Sequence, residues 1–360
     1  MSQQNFVPDK KMWFSEEISE PDAVFHNVKE APFSIYGLYR PSTEPVFKRI
    51  PDELGQSVSD GVAYLYRNTA GGRVRFATDS PYLILRMKTH KVHKFAHMTA
   101  TAGAGFDLYE DDPKTKLSRF IHAFIPPATM TEGYESKYSN PDGKLHCYTL
   151  NFPLYNDVDE LWIGVKEGST LSEGLSYDGE KPIVYYGSSI TQGGCASRPG
   201  NAYESVICRR LDRDYLNMGF SGSAKGEPKL AEYFATLPMS LFVCDYDYNA
   251  PTVEHLEATH YPFYEIIRAK NPDVPYLMIS RHTAQGNVPH IDRRRAVIRA
   301  SYEKAKASGD ENVYFLDGDS FFPDEWRDAC TVDTTHPNDL GFYFMARAIG
   351  DAIAEILKKQ

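Results

Sequence analysis

The chain shows two patterns of hydrophobic and polar residues, and the change between them falls near residue 175. From about residue 24 to 165, short extended stretches are separated by turn residues every eight to twelve positions. Stretches such as "RVRFAT" and "YLILRMK" alternate with period two, as half-buried strands do. No amphipathic stretch of helix length interrupts them, so this part is predicted to form an all-β sandwich or jelly roll.

The second part alternates short apolar runs with longer amphipathic ones. Such alternation is typical of a parallel sheet covered by helices on both faces. We predict two domains, 1–175 and 176–360, joined by a Gly-, Ser- and acid-rich linker at 167–181. The predicted strands of the second domain are 183–186, 215–217, 241–244, 276–279 and 313–316, and its helices lie near 202–211, 229–235, 253–269, 292–307 and 340–358.

Composition narrows the range of partners. The 360 residues carry a net charge of −10 without a long Lys/Arg run, so neither nucleic acid nor a membrane surface is expected as a partner. No apolar run has the length of a signal peptide or of a spanning helix, which favours a cytoplasmic protein. The five cysteines are widely spaced and are expected to be reduced thiols: Cys147, Cys195, Cys208, Cys244 and Cys330.

Polar and small residues follow most of the predicted parallel strands. The stretches are "GSSITQGG", "NMGFSGSAKG", "DYDYNAP" and, after a loop, "CTVDTTHPNDLG". They supply a hydroxyl at a tight turn, loops with free backbone N–H groups, a carboxamide and an Asp-x-x-His pair. Loops at the carboxyl ends of parallel strands lie at one edge of the sheet, so these groups are candidates for acyl-transfer chemistry.

This set of motifs resembles the SGNH hydrolases, the GDSL-type esterases and acylhydrolases. "GSSIT" is similar to the nucleophile block Gly-Asp-Ser-Ile-Thr, which implies Ser189 as the nucleophile, with Ser188 in place of the aspartate. "GFSG" matches the second block and implies Gly222 in the oxyanion hole, beside the N–H of Ser189. The third block, Gly-x-Asn-Asp, is matched only at Asn249, which is implied as the oxyanion amide.

The fifth block of the family, Asp-x-x-His, is matched in full by Asp333 and His336. In the first part, "GFDLY" at 105–109 resembles the Gly-x-Asp-Leu-Tyr motif of a β-rich amino-terminal domain in one SGNH subgroup. The resemblance implies a flavodoxin-like three-layer α/β fold with a five-stranded parallel sheet. His336 would be the general base and Asp333 would orient it.

Several motifs have simpler readings. A Gly-Ser-Ser turn more often caps a helix than catalyses, and only the ordered set of motifs favours catalysis. The literal Gly-Asp-Ser at 318–320 follows the last strand, so Ser320 is expected to be a loop residue. His90, His93 and His97 lack a completing ligand and are expected on a solvated β face rather than around a metal. The basic run "DRRRAVIRA" is expected to open a helix capped by Asp292, with a solvated face.

The sequence therefore predicts a serine esterase that removes small acyl groups, above all acetyl, from carbohydrates. The carbohydrate assignment follows the family resemblance, with Tyr246, Tyr248 and Trp326 as candidates for stacking on sugar rings. No metal or organic cofactor is expected, and the predicted partner is a small-molecule ester such as an acetylated oligosaccharide. An acyltransferase and a non-catalytic carbohydrate-binding protein stay open as alternatives, as does the oligomeric state, a homodimer included.

Overall fold

The computed structural model describes residues 18–179, 181–283 and 290–359. Its first part contains two antiparallel sheets. The strands in chain order are β1 (Ala23–Asn27), β2 (Ser34–Tyr36), β3 (Arg73–Thr78), β4 (Tyr82–Lys88), β5 (Phe106–Asp111), β6 (Ser118–Phe124), β7 (Gly133–Ser139), β8 (His146–Asn151), β9 (Glu160–Lys166) and β10 (Leu171–Glu173). One sheet has the order β1-β9-β4-β7; the other has the order β10-β3-β8-β5-β6, with β2 also paired to β3.

The inner faces of these two sheets share one hydrophobic core. Leu83 and Leu85 of β4 contribute from the first sheet, and Val74 and Phe76 of β3 from the second. In β3 the alternate residues Arg73 and Arg75 point to the opposite face, as period-two alternation requires. The predicted antiparallel sandwich is thus present as two sheets packed on a common core.

Three short helices interrupt the first part, where none was predicted: α1 (Asp52–Val58), α2 (Asp60–Leu65) and α3 (Ala100–Gly103). The stretch "GVAYLYRNT" lies in the part predicted to be all-β, but Ser59 caps α2 there by accepting a hydrogen bond from the Val62 N–H at 3.2 Å. Val62 and Leu65, three residues apart, are both buried on one side of this helix. Six residues are too few for amphipathic periodicity to separate a helix from a strand.

The predicted linker is not a simple linker. Strand β10 lies within 167–181 and pairs antiparallel with β3, so this segment belongs in part to the second sheet. The Gly- and Ser-rich composition favoured a linker because a three-residue strand leaves almost no pattern in the sequence.

The second part is a five-stranded parallel sheet, as predicted. Its strands are β11 (Ile183–Gly187), β12 (Tyr215–Gly219), β13 (Leu241–Asp245), β14 (Tyr276–Ile279) and β15 (Val313–Leu316), in the order β12-β11-β13-β14-β15. Its helices are α4 (Ser189–Gln192), α5 (Tyr203–Leu211), α6 (Pro228–Phe234), α7 (Val253–Lys270), α8 (Ile291–Ala307) and α9 (Asp339–Leu357). In this order β12 lies on one side of β11, whereas β13, β14 and β15 lie on the other. The crevice between β11 and β13, at their carboxyl ends, is where ligands bind in open α/β sheets.

Both faces of the parallel sheet are buried. In β11, Val184 and Tyr186 pack into the core shared with α6, α7 and α8, whereas Ile183 and Tyr185 pack into the core shared with α5 and α9. Because every side chain of the strand is buried, its sequence is a continuous apolar run rather than an alternating one.

The two parts of the chain meet through buried polar groups. Asp107, the aspartate of the "GFDLY" motif, is fully buried and accepts hydrogen bonds from Arg198 at 2.9 Å and from the Gly200 N–H at 2.8 Å. Its other oxygen accepts from Asn151 at 2.8 Å. A Cβ atom on Gly200 would lie 2.5 Å from the Tyr109 hydroxyl, so the close approach requires glycine. The motif thus holds the segment that follows the Ser189 turn.

Two buried arginines of the first part continue this contact. The Arg49 guanidinium donates to the carbonyls of Leu65 at 2.8 Å and Asn217 at 3.2 Å, and so joins α2 to β12. Arg73 pairs with Asp214, the residue before β12. Burying these cations is tolerated only because carbonyl and carboxylate oxygens surround them. No helix of the described ranges is both long enough and apolar enough to cross a lipid bilayer.

Replacing Asp107 by asparagine is expected to destabilise the fold strongly. Asparagine turns one acceptor oxygen into a donor and leaves Arg198 without its buried charge partner, at a cost of about 3 kcal/mol. The control is Asp351→Asn, which removes the exposed Arg210–Asp351 pair and should cost less than about 1 kcal/mol. Denaturant unfolding measures both variants, and equal losses would contradict the structural role of Asp107.

Candidate active site

The turn between β11 and α4 presents Ser189 at the edge of the parallel sheet. Gly187 ends the strand, where a Cβ atom would lie 2.0 Å from the Thr191 hydroxyl oxygen, so no side chain fits. Ser188 is fully buried and caps α4 by accepting a hydrogen bond from the Ile190 N–H at 3.2 Å. Ser188 therefore fills the position of the family's aspartate as an N-cap, a role that serine and aspartate share.

Ser189, His336 and Asp333 form a continuous chain of hydrogen bonds. The Ser189 Oγ lies 2.8 Å from His336 Nε2, and His336 Nδ1 lies 2.7 Å from Asp333 Oδ2. Ser189 follows the first parallel strand, whereas Asp333 and His336 come from the loop before α9, and His336 lies 147 residues after Ser189 in the chain. The structure thus brings together the three side chains that the motifs singled out.

The Asp333 carboxylate is held by the loop that carries His336. Its Oδ1 accepts the backbone N–H groups of His336 at 2.7 Å and Thr335 at 3.1 Å. Partial burial alone raises the pKa of Asp333, but the hydrogen bonds from the His336 backbone and ring outweigh it, so the pKa lies below its ordinary value of 3.8. Asp333 is therefore ionised at neutral pH and fixes a proton on His336 Nδ1.

The loop after β12 places Gly222 beside the Ser189 turn. The Phe220 N–H donates to the Gly187 carbonyl at 2.9 Å, and the Ser221 N–H donates to the Gln192 side-chain oxygen at 3.0 Å. Gly222 has φ +67°, a conformation that favours glycine, and no atom lies within 4 Å of an ideal Cβ. Within the described residues the Gly222 N–H has no hydrogen-bond acceptor, so it is available to a ligand.

Asn249 lies in the short 3₁₀ helix Asp247–Asn249 after β13. Its side-chain nitrogen donates one hydrogen to the Phe220 carbonyl at 2.9 Å, which ties this helix to the Gly222 loop. A carboxamide nitrogen carries two hydrogens, so the second remains available as a donor. The loops of Gly222 and Asn249 are therefore tied to each other and to Gly187, at the end of the strand that leads to Ser189.

A buried arginine contacts the residues on either side of Asn249 in the turn. Arg294 of α8 pairs with the Asp247 carboxylate at 3.4 Å and donates to the Ala250 carbonyl. The prediction of a solvated face for this basic run is therefore wrong at Arg294, which is 8% exposed. The N-cap of α8 is His290 rather than Asp292. Arg294 is buried because it pairs with the buried Asp247 carboxylate. The local sequence does not show which arginine of such a run has a partner in the core.

Two residues that the motifs did not single out hold the Ser189 turn against the first part of the chain. Tyr155 donates its hydroxyl to the Ser189 carbonyl at 3.0 Å. Gln192 is fully buried, and its side-chain nitrogen donates to Asn68 Oδ1 and to the Leu154 carbonyl, each at 3.2 Å. Gln192 follows Ser189 by three residues in the same short helix, so helical spacing could have indicated that the two are neighbours. Tyr155 is distant in sequence, and no local pattern links it to Ser189.

The three histidines of "HKVHKFAH" lie in an irregular segment after β4, not in the strand expected for them. His90 hydrogen-bonds Asp159 at 2.8 Å, and His93 hydrogen-bonds the Tyr64 hydroxyl at 2.7 Å. His97 instead reaches the candidate site, where its ring lies edge-on to that of His336 with centroids 5.4 Å apart.

Cys195 lies beside the same rings. All five cysteines have free thiols. Burial raises the pKa of the Cys195 thiol to about 12, and the nearby Asp333 carboxylate adds to the rise. Because the thiolate is the reactive form, this protonated thiol does not compete with Ser189 as a nucleophile.

Other candidates are placed away from this chemistry. The exposed Ser320 donates its hydroxyl to the Asp317 carbonyl at 2.7 Å, and no histidine contacts it within the described ranges. Tyr246 is 1% exposed, so it belongs to the core and cannot stack on a sugar. Tyr248 is half-buried and donates to the His282 carbonyl, while Trp326 is 51% exposed.

The arrangement has the parts of a nucleophilic acyl-transfer site. A hydroxyl contacts an imidazole whose second nitrogen is held by a carboxylate, and unpaired N–H donors lie in loops tied to the same turn. The site lies beside β11, between the strands that flank it in the sheet, and Tyr155 and His97 of the first part of the chain contact it.

Each of the two parts of the chain matches the model of a known protein family. Residues 180–354 match the model of the GDSL-like lipase/acylhydrolase family, and residues 23–171 match the model of the amino-terminal domain of SGNH-hydrolase-type esterases. Together the two matches span most of the sequence. No match to this sequence was found among curated proteins.

Solved structures share the whole architecture. A GDSL-like lipase from Bacteroides ovatus is 28% identical, with a TM-score of 0.84, and the match covers 93% of this chain and 98% of that one. The salicylyl-acyltransferase of a tetracycline biosynthetic pathway has a TM-score of 0.76 at 19% identity, covering 94% and 98%. An acetyl xylan esterase from Butyrivibrio proteoclasticus has a TM-score of 0.60 at 13% identity, covering 93% and 99%.

The last two likenesses extend to the fold alone, whereas the two family matches account for the motifs at the strand ends and for the "GFDLY" strand. The chain therefore belongs to the SGNH, or GDSL-type, family of carboxylic ester hydrolases, in the subgroup that carries a Gly-x-Asp-Leu-Tyr amino-terminal domain.

Proposed function

We propose that the protein is a serine esterase that removes small acyl groups, above all acetyl, from carbohydrates. The observation that carries the proposal is the hydrogen-bond chain from Ser189 through His336 to Asp333. The Ser189 hydroxyl is only weakly acidic, and these hydrogen bonds give it the base that it needs at neutral pH, the His336 imidazole.

In the proposed acylation step, Ser189 Oγ attacks the ester carbonyl carbon while His336 Nε2 takes the hydroxyl proton. Asp333 stabilises the imidazolium that forms without itself taking the proton. The tetrahedral oxyanion accepts hydrogen bonds from the N–H groups of Ser189 and Gly222 and from the Asn249 amide. His336 then returns its proton to the departing alkoxide, which leaves as the free sugar hydroxyl.

Deacylation repeats these transfers with water. His336 takes a proton from the water as its oxygen attacks the acyl carbon, and Ser189 leaves with the proton returned to it. The support for this cycle is that both ring nitrogens of His336 are already engaged as it requires, one by the nucleophile and one by Asp333. Esters suit the site because an alkoxide needs less protonation to leave than an amine.

The carbohydrate assignment rests on similar proteins and on the contacts that the first part of the chain makes with the site. One structure that shares the fold is named an acetyl xylan esterase. We propose that the amino-terminal domain, residues 1–175, is a jelly-roll-like sandwich that shapes the sugar side of the site of domain 176–360. Support comes from Tyr155 and His97, which the first part of the chain places against Ser189 and His336.

Replacing Ser189 by alanine is expected to abolish hydrolysis of 4-nitrophenyl acetate and of acetylated oligosaccharides. The variant lacks the nucleophile, and kcat should fall by on the order of 10⁴ or more. Steady-state kinetics on both substrates measure the loss. The matched control is Ser320→Ala, which removes the hydroxyl of the literal Gly-Asp-Ser and should keep wild-type kcat.

The reverse pattern, with Ser320→Ala inactive, would refute the assignment of the nucleophile. Absence of turnover in the wild-type protein on every ester would instead favour the non-catalytic carbohydrate-binding alternative. A preference for octanoyl over acetyl esters would contradict the small-acyl part of the proposal.

Replacing Asp333 by asparagine is expected to lower kcat by on the order of 10³–10⁴, because the wrong tautomer of His336 then faces Ser189. The substitution should also change the pH dependence of stability. Folding lowers the pKa of Asp333, so its ionised form stabilises the native state above the unfolded pKa of 3.8. This contribution is lost as the pH falls through the lower, folded pKa.

Thermal unfolding of both proteins measures the effect. The wild-type Tm should exceed that of Asp333→Asn at pH 7, and the difference should shrink below about pH 4. A difference that stays constant down to pH 2 would contradict the ionised Asp333–His336 pair.

An acyltransferase is the second candidate, because it shares the acyl-enzyme half of the reaction and one structure with this architecture is a salicylyl-acyltransferase. The two functions differ only in whether water or an alcohol accepts the acyl group. We expect free acetate as the main product when a sugar alcohol is added in excess over the ester substrate. Product analysis by mass spectrometry measures it, and acyl transfer to the added alcohol as the main reaction would favour the acyltransferase.

A further inference from the structure

Three potential metal ligands converge at the edge of the candidate active site. His97, Cys195 and His336 each offer one nitrogen or sulfur atom, and these atoms lie within 4.8 Å of one another. They come from three separate segments: the irregular stretch after β4, the loop after α4 and the loop before α9. The Cys195 thiol also donates to the His97 carbonyl at 3.5 Å, which holds the first two segments together.

We propose that His97, Cys195 and His336 form a binding site for a zinc ion. Two imidazoles and one thiolate are a set of ligands that Zn²⁺ prefers, while Mg²⁺ and Ca²⁺ prefer oxygen ligands. Three protein ligands leave a fourth, open position for water. Binding of Zn²⁺ displaces the proton of the Cys195 thiol, which is released to solvent.

The distances are within reach of zinc coordination. Zn–N bonds of about 2.1 Å and Zn–S bonds of about 2.3 Å place tetrahedral ligand atoms roughly 3.5 Å apart. A shift of about 1 Å in a side chain closes the gap from 4.8 Å. His97 is exposed, and within the described residues its ring nitrogens have no hydrogen-bond partner, so it is free to make this shift.

Cys195 has a left-handed backbone conformation, which is uncommon for a residue other than glycine and is often found at functional sites. Its φ of +74° lies in the left-handed region, which costs a non-glycine residue on the order of 1–2 kcal/mol. Gly193, two positions earlier, is also left-handed with φ +97°, which a glycine adopts without the cost that Cys195 bears. The strained residue is thus the one that carries the thiol.

Zinc bound here is expected to switch the esterase off. Both ring nitrogens of His336 have partners in the proposed mechanism, Asp333 on Nδ1 and Ser189 on Nε2. Whichever nitrogen coordinates the metal, the catalytic histidine loses one of these partners. This inhibitory effect rests on the proposed function, whereas metal binding itself does not.

Calorimetric titration of the full-length chain with ZnCl₂ tests the site, with MgCl₂ as the control ion. His97→Asn and Cys195→Ser each remove one ligand and should weaken zinc binding at least tenfold, as loss of even an indirect support of a metal ligand does. The matched controls are His290→Asn and Cys147→Ser, which remove the same groups elsewhere and should bind zinc as the wild type does. His97 is exposed, so its variant folds even if Cys195→Ser does not.

A loss of less than tenfold in the correctly folded ligand variants overturns the zinc site, as does equal affinity for Mg²⁺. Kinetics then separate this inference from the proposed function. Zinc should inhibit hydrolysis of 4-nitrophenyl acetate at concentrations that match the calorimetric affinity, and a chelator should restore it. If the protein hydrolyses no ester, the proposed function fails, and the titration still decides on the zinc site.

Discussion

Polar groups buried where the two parts of the chain meet must find their partners across that contact, and the geometry of the candidate site depends on this constraint. Gln192 illustrates it: its carboxamide lies between Asn68 of the first part and Ser221 of the loop after β12. An unpaired buried amide costs several kcal/mol, so these elements are held in one arrangement. Asp107 does the same for the segment that follows the Ser189 turn.

This constraint explains how a site assembled from distant segments is held together. Ser189, Asn249 and His336 come from three different segments of the second part. Hydrogen bonds to backbone carbonyls tie the loop after β12 to the Asn249 turn and to the end of β11, while the His336 ring contacts Ser189 directly. In the proposed mechanism these contacts keep the hydrogen-bond donors and the base in place before substrate binds, which is the condition for electrostatic stabilisation of an oxyanion. The antiparallel sandwich is therefore a structural partner of the site and more than an attached module.

The sequence predicted the parts of the structure whose pattern is local. The five parallel strands were found because each is a buried apolar run between turns. Motifs singled out Ser189, Gly222, Asn249, Asp333 and His336, and the structure joins Ser189, His336 and Asp333 by hydrogen bonds. The short helices α1 to α3 and strand β10 were missed because a few residues leave no periodicity. Tyr155, Arg294 and His97 were missed as neighbours of the site because only the fold brings them there.

Covalent trapping of the nucleophile tests the central claim most directly. The wild-type chain is incubated with a serine-reactive aryl phosphonate, and the modified residue is located by peptide mass spectrometry. The account predicts one phosphonate per chain, attached to Ser189, because among the serines of the described residues it is the Ser189 hydroxyl that lies at hydrogen-bonding distance from an imidazole. Modification of Ser320, or of no serine at all, would contradict it.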